Sequence, residues 1–335
     1  MPHLISVIVP AYNAASRIKF SLESIISQDY ENIEIIVVDD ASTDNTGKIA
    51  REILSSSSRP FKIITHEHNR GECASRNTGL ENSGGDYVLL MDADDMAEKN
   101  FISCLYSLII KYNCNVSFCG RVDRFTDGKK DIQKPINIKP PYIRTGEEIL
   151  YLRLRDIAAP HMCAVMMSRK FIEDNGLRYF DGTCWAGDVE FQIKVFCCAD
   201  KIAFSDKCLY IYMHHSEMGS LSGVNTSEKK IRRYEVNTGA SERTAEFLLK
   251  HSNSERIKKF TENILMPQNI IRKFTLSAMK NDKNEYNSNF KNINDIKILR
   301  RALSFYTFRQ KPEAFFKALM IMFIPSIYYR MRSKF

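Results

Sequence analysis

The sequence predicts an α/β fold: a mostly parallel sheet flanked by helices, followed by a helical C-terminal appendage. Three observations predict it. Over the first 120 residues, short β-branched apolar runs alternate with amphipathic stretches, the pattern of a parallel sheet built from right-handed βαβ crossovers. Each apolar run ends in polar residues, as strands do at the ligand-binding edge of an open α/β sheet. From about residue 226 onward the apolar spacing is helical to the end.

The four runs are LISVIV (4 to 9), IEIIVV (33 to 38), FKIIT (61 to 65) and YVLLM, which closes at Met91. They read as buried strands. Residues 16 to 28, 44 to 54 and 72 to 82 read as the helices between them. The middle third is mixed: a helix near 145 to 155, a strand CAVMMS at 163 to 168, a short helix from Arg169, a helix from about 187 to 199, and short strands near 202 and 209. Beyond 226, Pro267 and Pro312 are expected to break the helices, because proline lacks an N–H and its ring clashes with the preceding turn. The expected domains are a body, residues 1 to 225, and a helical basic region, residues 226 to 335.

The charge supports that division. The 335 residues carry a net +8, unevenly spread. Residues 1 to 227 hold 25 Lys and Arg against 30 Asp and Glu, net −5; residues 228 to 335 hold 23 against 10, net +13. A basic tail on an acidic body suggests nucleic acid or anionic lipid as a partner, with a solvated helical face as the alternative. No nucleic-acid-binding module is recognisable, so nucleic acid is not expected. The nine cysteines include no CxxC pair, so neither a disulfide framework nor a zinc site is expected. The N-terminal stretch MPHLISVIVP does not have the layout of a signal peptide, and the expected location is the cytoplasm.

The polar strand ends are Pro10, Tyr12 and Asn13, then Asp39 and Asp40, then His66, Asn69 and Arg70, and last Asp92, Asp94 and Asp95. The cluster MDADD at 91 to 95 is the central clue. Three carboxylates at the mouth of a sheet repel one another unless a cation neutralises them, and Mn²⁺ or Mg²⁺ takes one or two carboxylates together with substrate phosphates. Asp94, with Asp92 and Asp95, is therefore the expected metal site. The alternative is that Asp94 or Asp95 caps a helix expected near 98. Neither GxGxxG after the first strand nor GxxxxGK[ST] occurs anywhere.

In order and spacing, SVIVPAYNAASRIKFSLESIISQDYENIEIIVVDDASTDNT, HNRGECASRNTGL and GDYVLLMDADD resemble the nucleotide-binding half of the family 2 glycosyltransferases with the Rossmann-like GT-A fold. The resemblance is strong over roughly residues 3 to 125 and looser over 160 to 222. It implies that Pro10, Ala11 and Tyr12 line the pocket of a uracil-like base, and that Asp40 accepts from the base NH with support from Asp39 and Ser42. Arg76, Asp92 and Ala93 would face the donor, with Asn69 nearby. In FDGTCWAGDVEF (180 to 191), Asp188 matches the family's general base. The family more often has Glu-Asp there; Gly187 precedes Asp188 here, so the partner carboxylate is missing or replaced by Glu190, with Asp188 as a helix N-cap the alternative to the base. Trp185 is either a platform for a sugar ring or a core residue. In YMHHSEMGSLSG (212 to 223), His214 or His215, with Ser220, would close over the donor or complete the metal shell.

The resemblance thus implies an inverting, metal-dependent transfer from a UDP-sugar to a saccharide or lipid-linked oligosaccharide in bacterial surface polysaccharide or lipopolysaccharide assembly. The competing readings are a sugar-nucleotide binder without catalysis, and a sugar nucleotidyltransferase. The second would need a basic, glycine-rich loop where this chain has PAYNAAS. The segment AFFKALMIMFIPSIYY (314 to 329) is flanked by Lys311, Arg330, Arg332 and Lys334, and its uninterrupted stretch is well below the roughly 20 residues of a spanning helix. An interfacial helix over 312 to 330 on the inner face of the membrane is expected, with packing on the chain itself or on a sister subunit as the alternative.

Overall fold

A computed structural model describes residues 2–182, 186–215, 227–305 and 312–333. The chain divides into two compact units, Met1–Ser220 and Leu221–Phe335. The first half of unit one runs β1 (Ile5–Ala11), α1 (Ile18–Ile26), β2 (Ile33–Asp39), α2 (Thr46–Ser55), β3 (Phe61–Thr65), α3 (Glu72–Glu81) and β4 (Tyr87–Leu90), within two residues of most sequence-predicted boundaries. It continues with β5 (Met96–Ala97), α4 (Phe101–Tyr112), β6 (Val116–Phe125), β7 (Ile132–Lys134), β8 (Ile143–Thr145), α5 (Gly146–Leu154), β9 (Val165–Ser168), α6 (Arg169–Asp174), α7 (Gly187–Cys198) and β10 (Lys201–His214).

Among the described residues these strands form one sheet in the order β3-β2-β1-β4-β9-β6-β10-β5, with β7 beside β6 and β8 beside β10. β1 to β4 are mutually parallel where they pair, and every residue of β1 and β2 is buried. The chain steps outward from β1 to β2 to β3, then returns past β1 to β4. That reversal makes a switch point between β1 and β4, where open α/β sheets bind ligands beyond their carboxyl ends.

Two close approaches set the depth of the site. α3 lies so near β1 that a Cβ on Gly79 would stand 2.2 Å from Ile8 Cγ2; no other residue permits that packing. β9 runs antiparallel to β4, pairing Tyr87 with Ser168 and Val88 with Met167. Extending this register past the end of β4 brings the segment just before β9 alongside the MDADD cluster.

Some expectations change. The two short strands near 202 and 209 are one strand, β10, parallel to β6 with register shifts between Phe204 and Tyr210; the polar Ser205, Asp206 and Lys207 that read as a break sit in that irregular stretch. No helix starts at 98, and α4 begins at Phe101 with Asn100 before it, so neither Asp94 nor Asp95 is a helix cap.

Unit two comprises α8 (Ser227–His251), α9 (Glu255–Phe260), a π turn (Thr261–Leu265), α10 (Met266–Met279), α11 (Lys283–Asn289), α12 (Ile293–Phe305), α13 (Pro312–Phe323) and α14 (Pro325–Arg332). Pro267 does not break the helix. It sits in the first turn of α10 directly after the π turn, whose wider winding accommodates the missing N–H. The apolar run 314 to 329 is not one helix either, because Ile324 leaves helical geometry and Pro325 starts α14. Ala318, Ile321 and Tyr328 pack into a core with Ile270, Ile271, Phe274, Ala278, Tyr286 and Leu299, while Phe316, Phe323, Ile324, Ile327 and Met331 are exposed.

Candidate active site

The loops after β1 and β2 form one laced wall. Asn13, at φ +49°, donates its N–H to Ser42 Oγ at 3.0 Å, and its side-chain oxygen accepts from Thr43 N at 2.9 Å. Ala14 N donates to Thr46 Oγ1 at 2.8 Å. Pro10 and Ala11 are buried beneath this wall, while the Tyr12 ring is 50% exposed and so has a face free for stacking. Asp39 is buried and accepts from Ser42 N at 3.0 Å.

Asp40, the expected base-contacting acceptor, is also held from within the protein. It is 3% exposed, and its oxygens accept from Arg70 N at 2.9 Å and Gly71 N at 2.8 Å, with His66 Nδ1 at 2.7 Å. With three neighbours on one buried carboxylate, Asp40 fastens the β3–α3 loop. Gly71, at φ +89°, makes the turn that aims its N–H there. Asn69 lies exposed in the same loop.

The three MDADD carboxylates take three directions. Asp94 is the most open, with 39% side-chain exposure, and has Arg17 Nη1 at 3.4 Å and His215 Nε2 at 4.0 Å from Oδ2. Burial and then the charge of Asp92 push its carboxyl above the usual range. Asp92 Oδ1 accepts from Arg76 Nη2 at 2.8 Å. Burial opposes its ionisation, but Arg76, His161 and Cys163 together hold its carboxyl below the ordinary value. Ala93 between them is buried.

Asp95, expected in the metal set, is bonded into the sheet. It is 1% exposed, accepts from Tyr210 OH and from Met213 N at 2.8 Å, and its carboxyl is pushed well up by burial and by Asp92. The cause is topological: β5 pairs with β10, Ala97 opposite Tyr210 and Met96 opposite Ile211, which draws residue 95 into the sheet and away from the cleft.

Arg76 is neither a surface residue nor directed at open cleft. It is 1% exposed, and its guanidinium contacts Asp188 through Nη1, Asp92, and Glu72 at 2.5 Å, with the Tyr179 ring 5.3 Å from its Cζ. Burial alone would favour losing the proton, yet Asp188 and Glu72 lead the groups that keep it firmly charged. Asp188 lies in the first turn of α7 and is one-third exposed. Arg76 thus holds the base candidate and a metal-side carboxylate in one network.

The remaining expectations separate. Glu190 is buried and paired with Lys194 at 2.7 Å. Of the two histidines, His215 stands at Asp94; His214 is stacked on Phe125 at 4.5 Å and lies 3.7 Å from Asp123. Trp185 and Ser220 lie outside the described residues.

Sequence reasoning missed Glu72, Arg17, His161 and Cys163. Glu72 was findable, since it stands four residues before Arg76 on one face of a predicted helix. His161 and Cys163 carried no such signal, because only the β4–β9 register brings them to Asp92.

Residues 6–176 match the family model described as Glycosyl transferase family 2. Among curated proteins, the chain is similar to Glycosyltransferase GlyA of Streptococcus pneumoniae serotype 4, at 32% identity over 67% of this chain and 32% of GlyA. It is also similar to the UDP-Glc:alpha-D-GlcNAc-diphosphoundecaprenol beta-1,3-glucosyltransferase WfgD of Escherichia coli, at 34% identity over 35% of this chain and 45% of WfgD. The chain spans about a third of the length of GlyA. Among solved structures it resembles S. aureus TarS 1-349 in complex with UDP-GlcNAc, with a TM-score of 0.69 at 20% identity over 99% of this chain and 90% of that one. It also resembles mannosyltransferase PcManGT from Pyrobaculum calidifontis in complex with GDP-Man and Mn²⁺, with a TM-score of 0.55 at 17% identity over 100% and 84%. These likenesses agree with the GT-A architecture, and with more than half of its length matched to the family model, the chain belongs to glycosyl transferase family 2.

Proposed function

We propose that this protein is an inverting, metal-dependent glycosyltransferase that moves a sugar from a UDP-sugar to a saccharide acceptor. The observation that carries the reading is the pair Asp92 and Asp94 at the β1–β4 switch point, with Asp188 joined to Asp92 through Arg76. TarS was solved with UDP-GlcNAc, which supports a UDP-sugar donor, and PcManGT with GDP-Man and Mn²⁺, which supports a divalent cation.

The donor set fits Mn²⁺ or Mg²⁺. Asp94 offers the most exposed carboxylate, Asp92 a second one, and His215 stands close enough to contribute. Held chiefly by Asp94, such a cation would supply positive charge against the departing diphosphate. Tyr12 stacks on the base from its exposed face. Asp188, held by Arg76, takes the acceptor hydroxyl proton as that oxygen attacks the anomeric carbon. One base and one displacement give inversion; retention by double displacement would need a carboxylate nucleophile at the anomeric carbon.

The acceptor in this reading is a lipid-linked saccharide of bacterial surface polysaccharide assembly, and the protein works peripherally at the cytoplasmic face of the membrane. Among the described residues no helix is long and apolar enough to cross a membrane. α13 and α14 expose Phe316, Phe323, Ile324, Ile327 and Met331 alongside Arg330, which suits insertion at an anionic interface. A donor screen measuring UDP release from a panel of UDP-sugars in Mn²⁺ tests the activity. Release that rises with one sugar and an added acceptor supports it; no release or hydrolysis from any of them removes it.

A further inference from the structure

Asp92, His161 and Cys163 offer a carboxylate oxygen, an imidazole nitrogen and a sulfur that all lie within 4.8 Å of one another. The fold, not the sequence spacing, brings them together. Cys163 is fully buried. The His161 ring is stacked on Tyr210 at 5.0 Å and 14°, and its Nδ1 accepts from Cys163 N over a long 3.4 Å.

The surrounding charge favours a cation. Arg76 touches Asp92, but it also serves Asp188 and Glu72, leaving three carboxylates around one guanidinium. The donor set is soft where the Asp94 set is hard. Sulfur with imidazole and one carboxylate suits Zn²⁺ or Co²⁺, whereas Mn²⁺ and Mg²⁺ prefer all-oxygen shells. Metal–ligand bonds of about 2.0 to 2.3 Å require the three atoms to close by roughly an ångström, which is within the reach of side-chain adjustment.

We propose that Asp92, His161 and Cys163 form a site for a thiophilic divalent cation, distinct from the oxygen site at Asp94, whose occupancy blocks the donor cleft because Asp92 belongs to both. Binding forms a metal–sulfur bond and breaks the Cys163 S–H bond, and the proton goes to solvent. The blocking of the cleft rests on the donor reading above; the metal binding does not.

The test titrates the full chain with Co²⁺ and follows the thiolate-to-cobalt absorption band in the near ultraviolet. Wild type is expected to develop the band with about one equivalent of metal. Cys163→Ser is expected to lose it, and His161→Asn to weaken Co²⁺ binding by about 10-fold or more. His161→Asn keeps the buried sulfur in place if the serine variant fails to fold. A wild type without the band at saturating Co²⁺, or a band that survives in Cys163→Ser, overturns the site. In parallel, Zn²⁺ is expected to weaken Mn²⁺-supported UDP binding in wild type and not in Cys163→Ser; equal effects in both overturn the blockade. UDP that fails to bind in Mn²⁺ alone counts against the donor reading instead, and the cobalt band still decides the metal site.

Discussion

Arg76 donates through Nη1 to Asp188 Oδ1, tying α3 to the first turn of α7. The same guanidinium reaches Asp92, so one buried cation spaces the proposed base from the proposed metal clamp. Removing it leaves three carboxylates facing one another. Arg76→Met is expected to destabilise the protein by about 3–5 kcal/mol, the scale of a broken buried ion pair, measured by urea unfolding. Arg76→Lys should keep much of the stability but lose turnover, because a single ammonium cannot fork to separate carboxylates.

Asp188→Asn is expected to leave UDP affinity nearly intact while turnover falls by roughly 10² or more, the scale of a lost general base. Paired calorimetry and initial rates separate the two effects. Turnover close to wild type would place the base elsewhere in the cleft.

Asp94 and Asp95 are adjacent in sequence and opposite in environment, so their variants should diverge. Asp94→Ala is expected to abolish transfer and weaken UDP binding in Mn²⁺, as Asp92→Ala should also do. Asp95→Asn should keep UDP affinity and instead lower stability by about 1–3 kcal/mol through its disturbed bonds to Tyr210 and Met213. Wild-type UDP affinity that is indifferent to EDTA would falsify the metal clamp.

Glu72 supplies a pH signature. Its carboxyl is raised from 4.5 to about 7, chiefly by burial, with Arg76 opposing the rise and Asp92 and Asp188 adding to it. A carboxyl raised in the folded state favours the fold while protonated, so this contribution is complete below about pH 4.5 and is lost as pH rises through 7. Glu72→Gln removes that loss. The difference in melting temperature between Glu72→Gln and wild type, without metal, should therefore grow in the variant's favour from pH 5 to pH 8. A difference that is flat across this window would show that Glu72 is ionised throughout.

Phe323 and Ile327 lie on the outward face of the last two helices. Replacing both with Asp should reduce flotation with anionic liposomes without altering UDP affinity. Arg330→Gln should remove only a salt-sensitive share, since screened charge and inserted apolar surface respond differently to ionic strength. A wild type that ignores anionic liposomes, with a double variant that changes oligomeric state, assigns the face to a protein partner.

The sequence alone determined the frame. Apolar runs with period-specific spacing set β1 to β4 and α1 to α3, because local pattern and burial agree there, and the polar residues at strand ends marked the ligand edge. The carboxylate cluster also singled out Asp92, Asp94 and Asp95 by chemical type, and the family resemblance pointed to Asp188. Only the tertiary structure decided which of these face the cleft. Asp94 and Asp95 are one residue apart, yet the β5–β10 pairing buries the second. Asp40 and Asp39 are equally adjacent, and the turn at Gly71 claims Asp40 for the loop. His161 and Cys163 reach Asp92 only through the antiparallel register of β4 and β9, which depends on contacts between residues some eighty positions apart. Such pairings are set by how the sheet closes its core, and a linear pattern carries no record of them.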